Sequence, residues 1–363
     1  MLAAVVVSNP LWLTSLIDPA ECSRMMEESM SELLRGRKSP EKKLIGTTLV
    51  TAIVLLSFVL PLRPAPWNAM EITLMPRKLA EGVYALVSST ADTNNPAGIP
   101  EATTGGIIVG EKGVLVIETM LNAKLANQGL DQVSRLTDKP IRYVVNTVYH
   151  GDHYYGNFLF PSSATIIMHS ESKHYIDQKF DQDKKFMINL MGADVGIQDV
   201  KPRAADISVD HDTTIDLGGR TVELKVFGLG QTKGDLFVWL PKEKVFFTSN
   251  AILAEKPAIP WLLEGKHDLA LETMRKIKAF LPADTVIVPG HGRPTTIEAS
   301  LDYFISYLET LDREVRAAVA NGLSLEDTVK VATAEAFSDY KLYPWTHKQI
   351  NVPHAYRRIK GLE

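Results

Sequence analysis

A β-rich segment at residues 141–148 runs straight into His150-Gly151-Asp152-His153, and a second apolar segment at 285–288 ends in Pro289-Gly290-His291-Gly292. Strands that stop in glycine turns place the side chains of those turns at the lip of a sheet, where segments distant in sequence can converge. Two imidazoles and a carboxylate on one turn are donors suited to a single divalent ion. A sandwich that ends both strands at one edge would bring the two loops together.

Short apolar strands joined by turns fill the chain from Glu71 onward. Residues 105–109 and 114–118 flank Glu111-Lys112-Gly113 as a hairpin. Two further hairpins pair 215–217 with 221–227 around Gly218-Gly219, and 236–240 with 244–248 across Pro241. Helical spacing marks 122–136, the segment 268–280, and the long amphipathic stretch holding Leu301, Phe304, Leu308, Leu311 and Val315. Ser324 with Asp327 has the form of another helix start. Residues 175–206 are charged and weakly periodic, and read as a helix-bearing loop over a site. Two β-rich halves with helices between them suit a sheet-on-sheet core with helices outside.

A basic stretch from Arg35 to Lys43 precedes the uncharged segment 44–62, whose 19 residues span about 28 Å as a helix, near the hydrocarbon thickness of a bilayer. The expectation is a membrane anchor with the N-terminus cytoplasmic and the remainder exported to the periplasmic or extracellular side. A cleaved signal, and hence a secreted protein, is the alternative, with translation starting at Met25, Met26 or Met30. A net charge of -4 supplies no basic field for a polyanion, so nucleic acid is set aside as a partner. The lone Cys22 cannot close an internal disulfide. These boundaries divide the chain into an N-terminal segment (1–43), an anchor or signal (44–62), a main domain (70–320) and a helical C-terminal extension (321–363).

Between the two histidine loops lie Gly230-Gln231-Thr232-Lys233-Gly234-Asp235 and a strand closing in Phe247-Thr248-Ser249-Asn250. With these four motifs in this order, residues 70–311 resemble the metallo-β-lactamase superfamily. The resemblance implies an α/β fold, a four-layer αββα sandwich, whose strand-end motifs supply ligands for two metals. Three positions depart from that pattern. Val148 stands where the family's HxHxDH motif has its first histidine, Gln231 where its GHTxGD motif has another, and Asn250 where many members carry a bridging aspartate. At the first metal position only His150 is retained.

Asp152, His153 and His291 match the set that the family uses together at its second metal position. The resemblance thus implies one zinc per chain, with iron or manganese as alternatives, and a metal-dependent hydrolase of a small-molecule ester, thioester, lactone, amide or phosphoester. On that reading a metal-bound hydroxide attacks the substrate, Asp152 serves as ligand and catalytic group, and His150 acts as base or hydrogen-bond donor. Gln231 and Asn250 are expected to be weak or indirect participants. The alternative is a non-catalytic binding or assembly protein on the same fold, favoured by the three substitutions and opposed by the intact triad.

Overall fold

The computed structural model describes residues 69–192 and 195–362. The expected membrane segment 44–62 lies outside them; among the described residues no helix is long and apolar enough to cross a membrane.

Two sheets form the centre. Strands β1 (Leu74–Ala80), β2 (Val83–Ser88), β3 (Gly105–Val109), β4 (Val114–Ile117), β5 (Ile141–Val145), β6 (Thr165–His169) and β7 (Ile207–Val209) pair in that spatial order. The second sheet runs β13-β12-β11-β10-β9-β8, built from β8 (Thr213–Asp216), β9 (Thr221–Lys225), β10 (Phe237–Leu240), β11 (Val245–Phe247), β12 (Val286–Val288) and β13 (Thr295–Thr296). All three expected hairpins are present as β3–β4, β8–β9 and β10–β11.

The central strands β4 and β10 lack a polar face because both of their faces are covered. Side chains alternate across a strand, and in β4 Leu115 and Ile117 enter the core between the sheets, whereas Val114 and Val116 enter the core under the helices. In β10, Val238 and Leu240 point between the sheets, and Phe237 and Trp239 point the other way. Three apolar layers result. One lies between the sheets. One lies between the first sheet and helices α1 (Ala123–Leu136) and α2 (Ser170–Met191). The third lies between the second sheet and α3 (His267–Phe280), α4 (Tyr303–Ala320) and α5 (Val352–Ile359). This is the αββα order expected from sequence.

Helix α1 starts where Asn122 accepts a hydrogen bond from the Leu125 N–H, a side-chain cap for an otherwise orphaned donor. The stretch 175–206, expected to be a helix-bearing loop, does carry a helix, α2, which begins earlier, at Ser170, and runs without a break to Met191. Its inward stripe of Ile176, Asp183, Met187 and Met191 is interrupted by a buried carboxylate, which breaks the apolar period. A second difference lies at residue 146. The strand expected over 141–148 ends at Val145, because Asn146 and Thr147 turn aside to bond the His153 carbonyl and the Glu118 carboxylate.

The site follows from strand direction. β4, β5 and β6 are parallel, with Ile117, Val145 and Ile167 in register at their C-terminal ends. β11 and β12 are also parallel, ending at Phe247 and Val288. Glu118, the 146–153 turn, the 248–250 turn and the Pro289–His291 loop are therefore delivered to strand ends in two facing sheets, the usual place for a crevice.

Candidate metal centre

The turn after β5 needs close backbone approach. A Cβ on Gly156 would lie 1.9 Å from the Thr119 carbonyl oxygen, so only glycine lets the helical turn Gly151–Tyr154 and its continuation fold back under β4. Gly290 plays the same part across the site, where a Cβ would lie 2.2 Å from Asn250 Oδ1.

Within this frame Asp152, His153 and His291 converge, each offering one ligand atom within 4.8 Å of the others. Asp152 Oδ2 is 3.6 Å from His153 Nε2 and 3.5 Å from His291 Nε2. Each ring is oriented from behind. His291 Nδ1 donates to the Glu101 carbonyl at 2.9 Å. His153 Nδ1 lies 3.1 Å from Glu118 Oε1, off the axis of a hydrogen bond, and its Nε2 is buried with no hydrogen-bond partner. Thr103 donates its hydroxyl to Asp152 Oδ2 at 2.6 Å. A short lead into β3 thus serves two ligands at once, since Thr103 also forms a β-bridge with His291.

The electrostatics match a cation site. Burial pushes the Asp152 carboxyl up, but the imidazoles of His153 and His291 and the Thr103 hydroxyl outweigh it and hold it at about 2. Burial holds His291 down at about 4. His153 is raised: burial acts to lower it, and the Asp152 and Glu118 carboxylates outweigh burial. A donor set that draws a proton onto a buried imidazole also draws a divalent ion, and an O,N,N set whose members are oriented by neighbouring carbonyl, carboxylate and hydroxyl groups is the pattern of catalytic zinc. With the orphaned His153 Nε2 aimed at the same carboxylate oxygen, the three residues fit one metal.

The neighbouring position offers a poorer donor set. Val148 is fully buried and has no donor atom. His150 Nδ1 is taken by the Asn250 amide, which donates from Nδ2 at 3.1 Å. Gln231 is buried, and neither its amide oxygen nor its nitrogen has a partner. Its loop is fixed by Asp235, whose carboxylate accepts from the backbone N–H groups of Gly230, Gln231 and Thr232. Burial raises that carboxyl to about 6 against these hydrogen bonds.

Sequence reasoning singled out Asp152, His153 and His291, which the structure brings together, but missed Thr103, Glu118 and the Glu101 carbonyl. Glu118 is the most consequential. It is 3% exposed, backs His153, and accepts from the Thr147 hydroxyl and backbone N–H. A carboxylate behind a ligating histidine raises its basicity and fixes its tautomer. Glu118→Gln is expected to weaken zinc affinity by about 10–100-fold, measured by competition with a chromophoric chelator; unchanged affinity would remove Glu118 from the metal's support.

A model of the metallo-beta-lactamase superfamily matches residues 98–291, just over half of the chain, from the Glu101–Thr104 lead to the second histidine loop. Similar solved structures include a metallo-beta-lactamase from Pontibacter korlensis, 16% identical with a TM-score of 0.51, covering 65% of this chain and 99% of that one. Another is the DIM-1 metallo-beta-lactamase, 16% identical with a TM-score of 0.51, covering 66% of this chain and 99% of that one. At such identity the likeness is one of fold.

Proposed function

Because the chain belongs to the metallo-beta-lactamase superfamily, we propose that it is a mononuclear metal-dependent hydrolase of a small-molecule ester, thioester, lactone, amide or phosphoester. The observation that carries this reading is the convergence of Asp152, His153 and His291 with a buried, unpartnered imidazole nitrogen among them. Zinc suits the donor set, with iron or manganese as alternatives. Bound there, the metal supplies Lewis acidity and lowers the pKa of water to about 7.

The residues around it have separable tasks. Asp152, ionised and anchored by Thr103, accepts a hydrogen bond from the attacking water and orients it. His150 has its Nδ1 lone pair occupied by the Asn250 amide, so the neutral ring carries its proton on Nε2. Of the two roles expected from sequence, this arrangement favours hydrogen-bond donor over base. The expected anchoring through residues 44–62, with the domain exported, is part of the same proposal and rests on sequence alone.

A test is metal analysis of the full-length protein after reconstitution with zinc, iron or manganese, followed by a screen over the five substrate classes. About one ion per chain is expected; two would overturn the mononuclear reading. No ion would favour the non-catalytic reading, which Val148, Gln231 and Asn250 support. The variant carrying Val148→His, Gln231→His and Asn250→Asp is expected to gain a second ion if the first position is an eroded ligand set.

A further inference from the structure

Gln231 and His153 are the two buried side chains, among the described residues, in which both polar atoms lack a hydrogen-bond partner. A buried amide has up to four hydrogen bonds to make, and burial without partners is destabilising. Yet Gln231 is 2% exposed and neither side-chain polar atom has a partner in the protein. Its place in the fold is well defined. On one side, Gly230 packs so closely on Ala251 that a Cβ would lie 2.4 Å from the Ala251 Cβ, next to Asn250. On the other, the Lys233 N–H and the Tyr149 hydroxyl both donate to Glu264 Oε1, at 3.2 and 2.9 Å, which ties the loop to Tyr149, next to His150. The loop that carries the unpaired amide thus runs between the neighbours of His150 and of Asn250.

We propose that Gln231 and His150 together form a two-donor pocket for the carbonyl oxygen of an acyl substrate, which narrows the substrate class to carboxylic esters, thioesters, lactones and amides and excludes phosphoesters. The inference rests on the hydrolase reading above. His150 offers Nε2–H because Asn250 donates to its Nδ1, and Gln231 offers Nε2–H because nothing in the protein uses it. Both donors are neutral. A carbonyl is neutral until attack, and neutral donors placed where charge then develops act mainly in the transition state. A phosphoester is anionic from the start and is better served by several cations. Here Asn250 and Tyr149 are uncharged, and Glu264 adds an acid.

The hydrolysis balances without a co-reactant. Water oxygen bonds to the acyl carbon and the bond from that carbon to the leaving oxygen, sulfur or nitrogen breaks. One water proton ends on the leaving alcohol, thiol or amine, the other leaves with the acid, and no group is oxidised or reduced. Gln231 and His150 hold the acyl oxygen throughout and exchange no proton with it.

The test compares full-length wild type with Gln231→Met, which removes the amide at nearly constant length. With phenyl acetate and S-phenyl thioacetate as probes, the zinc-loaded variant is expected to lose about 100-fold in kcat with KM changed little. Wild type should leave bis(p-nitrophenyl) phosphate essentially unhydrolysed. Independently of activity, zinc content is expected to stay at one per chain, and the metal-free variant to melt roughly 2–4 °C higher, since an unsatisfied buried amide has gone. A lower melting temperature in the variant would show that the amide has a structural partner and overturn the pocket. So would turnover of the phosphodiester that matches the esters and ignores the substitution. Wild type without metal would sink the hydrolase reading and this inference with it, whereas one zinc with a destabilised variant sinks the inference alone.

Discussion

Replacing either Asp152 or His291 by alanine is expected to strip the protein of its metal, taking about one ion per chain to background and lowering affinity by more than the roughly 100-fold that loss of an orienting partner alone can produce. The three donors lie within 4.8 Å of one another, and no fourth acidic or imidazole group joins them among the described residues. Removing one leaves two, too few to hold an ion against water. Asp152→Ala also frees the Thr103 hydroxyl and takes one of two neighbouring carboxylates from the buried His153 ring, leaving Glu118. His291→Ala frees the Glu101 carbonyl but leaves the Asp152–Thr103 contact intact. Because the two variants disturb different supports, a shared loss of metal cannot be blamed on one local collapse. His150→Ala is the contrast: its ring bonds Asn250, so metal content should survive while hydrolysis falls. Mass spectrometry of the native protein reads all three. Full metal occupancy in both ligand variants would displace the centre from these residues.

The legible parts of this chain are those in which a local pattern has one physical meaning. Runs such as Val114–Ile117 and Phe237–Leu240 are apolar on both faces because a sheet lies on one side and helices on the other. Hairpins show in the turns between such runs, and α1 shows in its amphipathic spacing and its Asn122 cap. Asp152, His153 and His291 stand out because imidazoles and a carboxylate in glycine turns after strands are costly unless used. Thr103 and Glu118 carry no such mark. A threonine before a strand and a glutamate after one look like ordinary solvated polar residues, and only the convergence of β3, β4 and the two histidine loops buries them against the ligands. Gln231 was visible as a departure from a motif, but its unpaired state is a property of the packed loop. The extent of helix α2 is hard to read for the opposite reason: Asp183 sits on the inward stripe, where a periodic pattern requires an apolar side chain.

Asp183 should reveal itself through the pH dependence of stability. It is 7% exposed, on α2, and accepts a hydrogen bond from the Tyr155 hydroxyl at 2.7 Å, two residues beyond His153. Burial pushes its carboxyl up from 3.8 to about 7, against the Tyr155 hydrogen bond. In the unfolded chain the group titrates near 3.9. Between about pH 4 and pH 7 the native state therefore keeps a proton that the unfolded state releases, and stability falls as pH rises through that window. Below it both states are protonated and the residue is neutral in effect; above it the native protein carries a buried carboxylate. The gap is about three pH units, on the order of 4 kcal/mol at full extent. Asp183→Asn keeps an acceptor for Tyr155 and removes the charge. The variant should match wild type near pH 4 and gain progressively up to pH 8, read as the difference in urea midpoint at each pH. A difference that stays flat from pH 5 to 8 would mean that Asp183 is ionised throughout and that the polar side chains around it already solvate its charge. A rising difference would identify the carboxylate that interrupts the stripe of α2 as a load the fold carries next to Tyr155, two residues from His153.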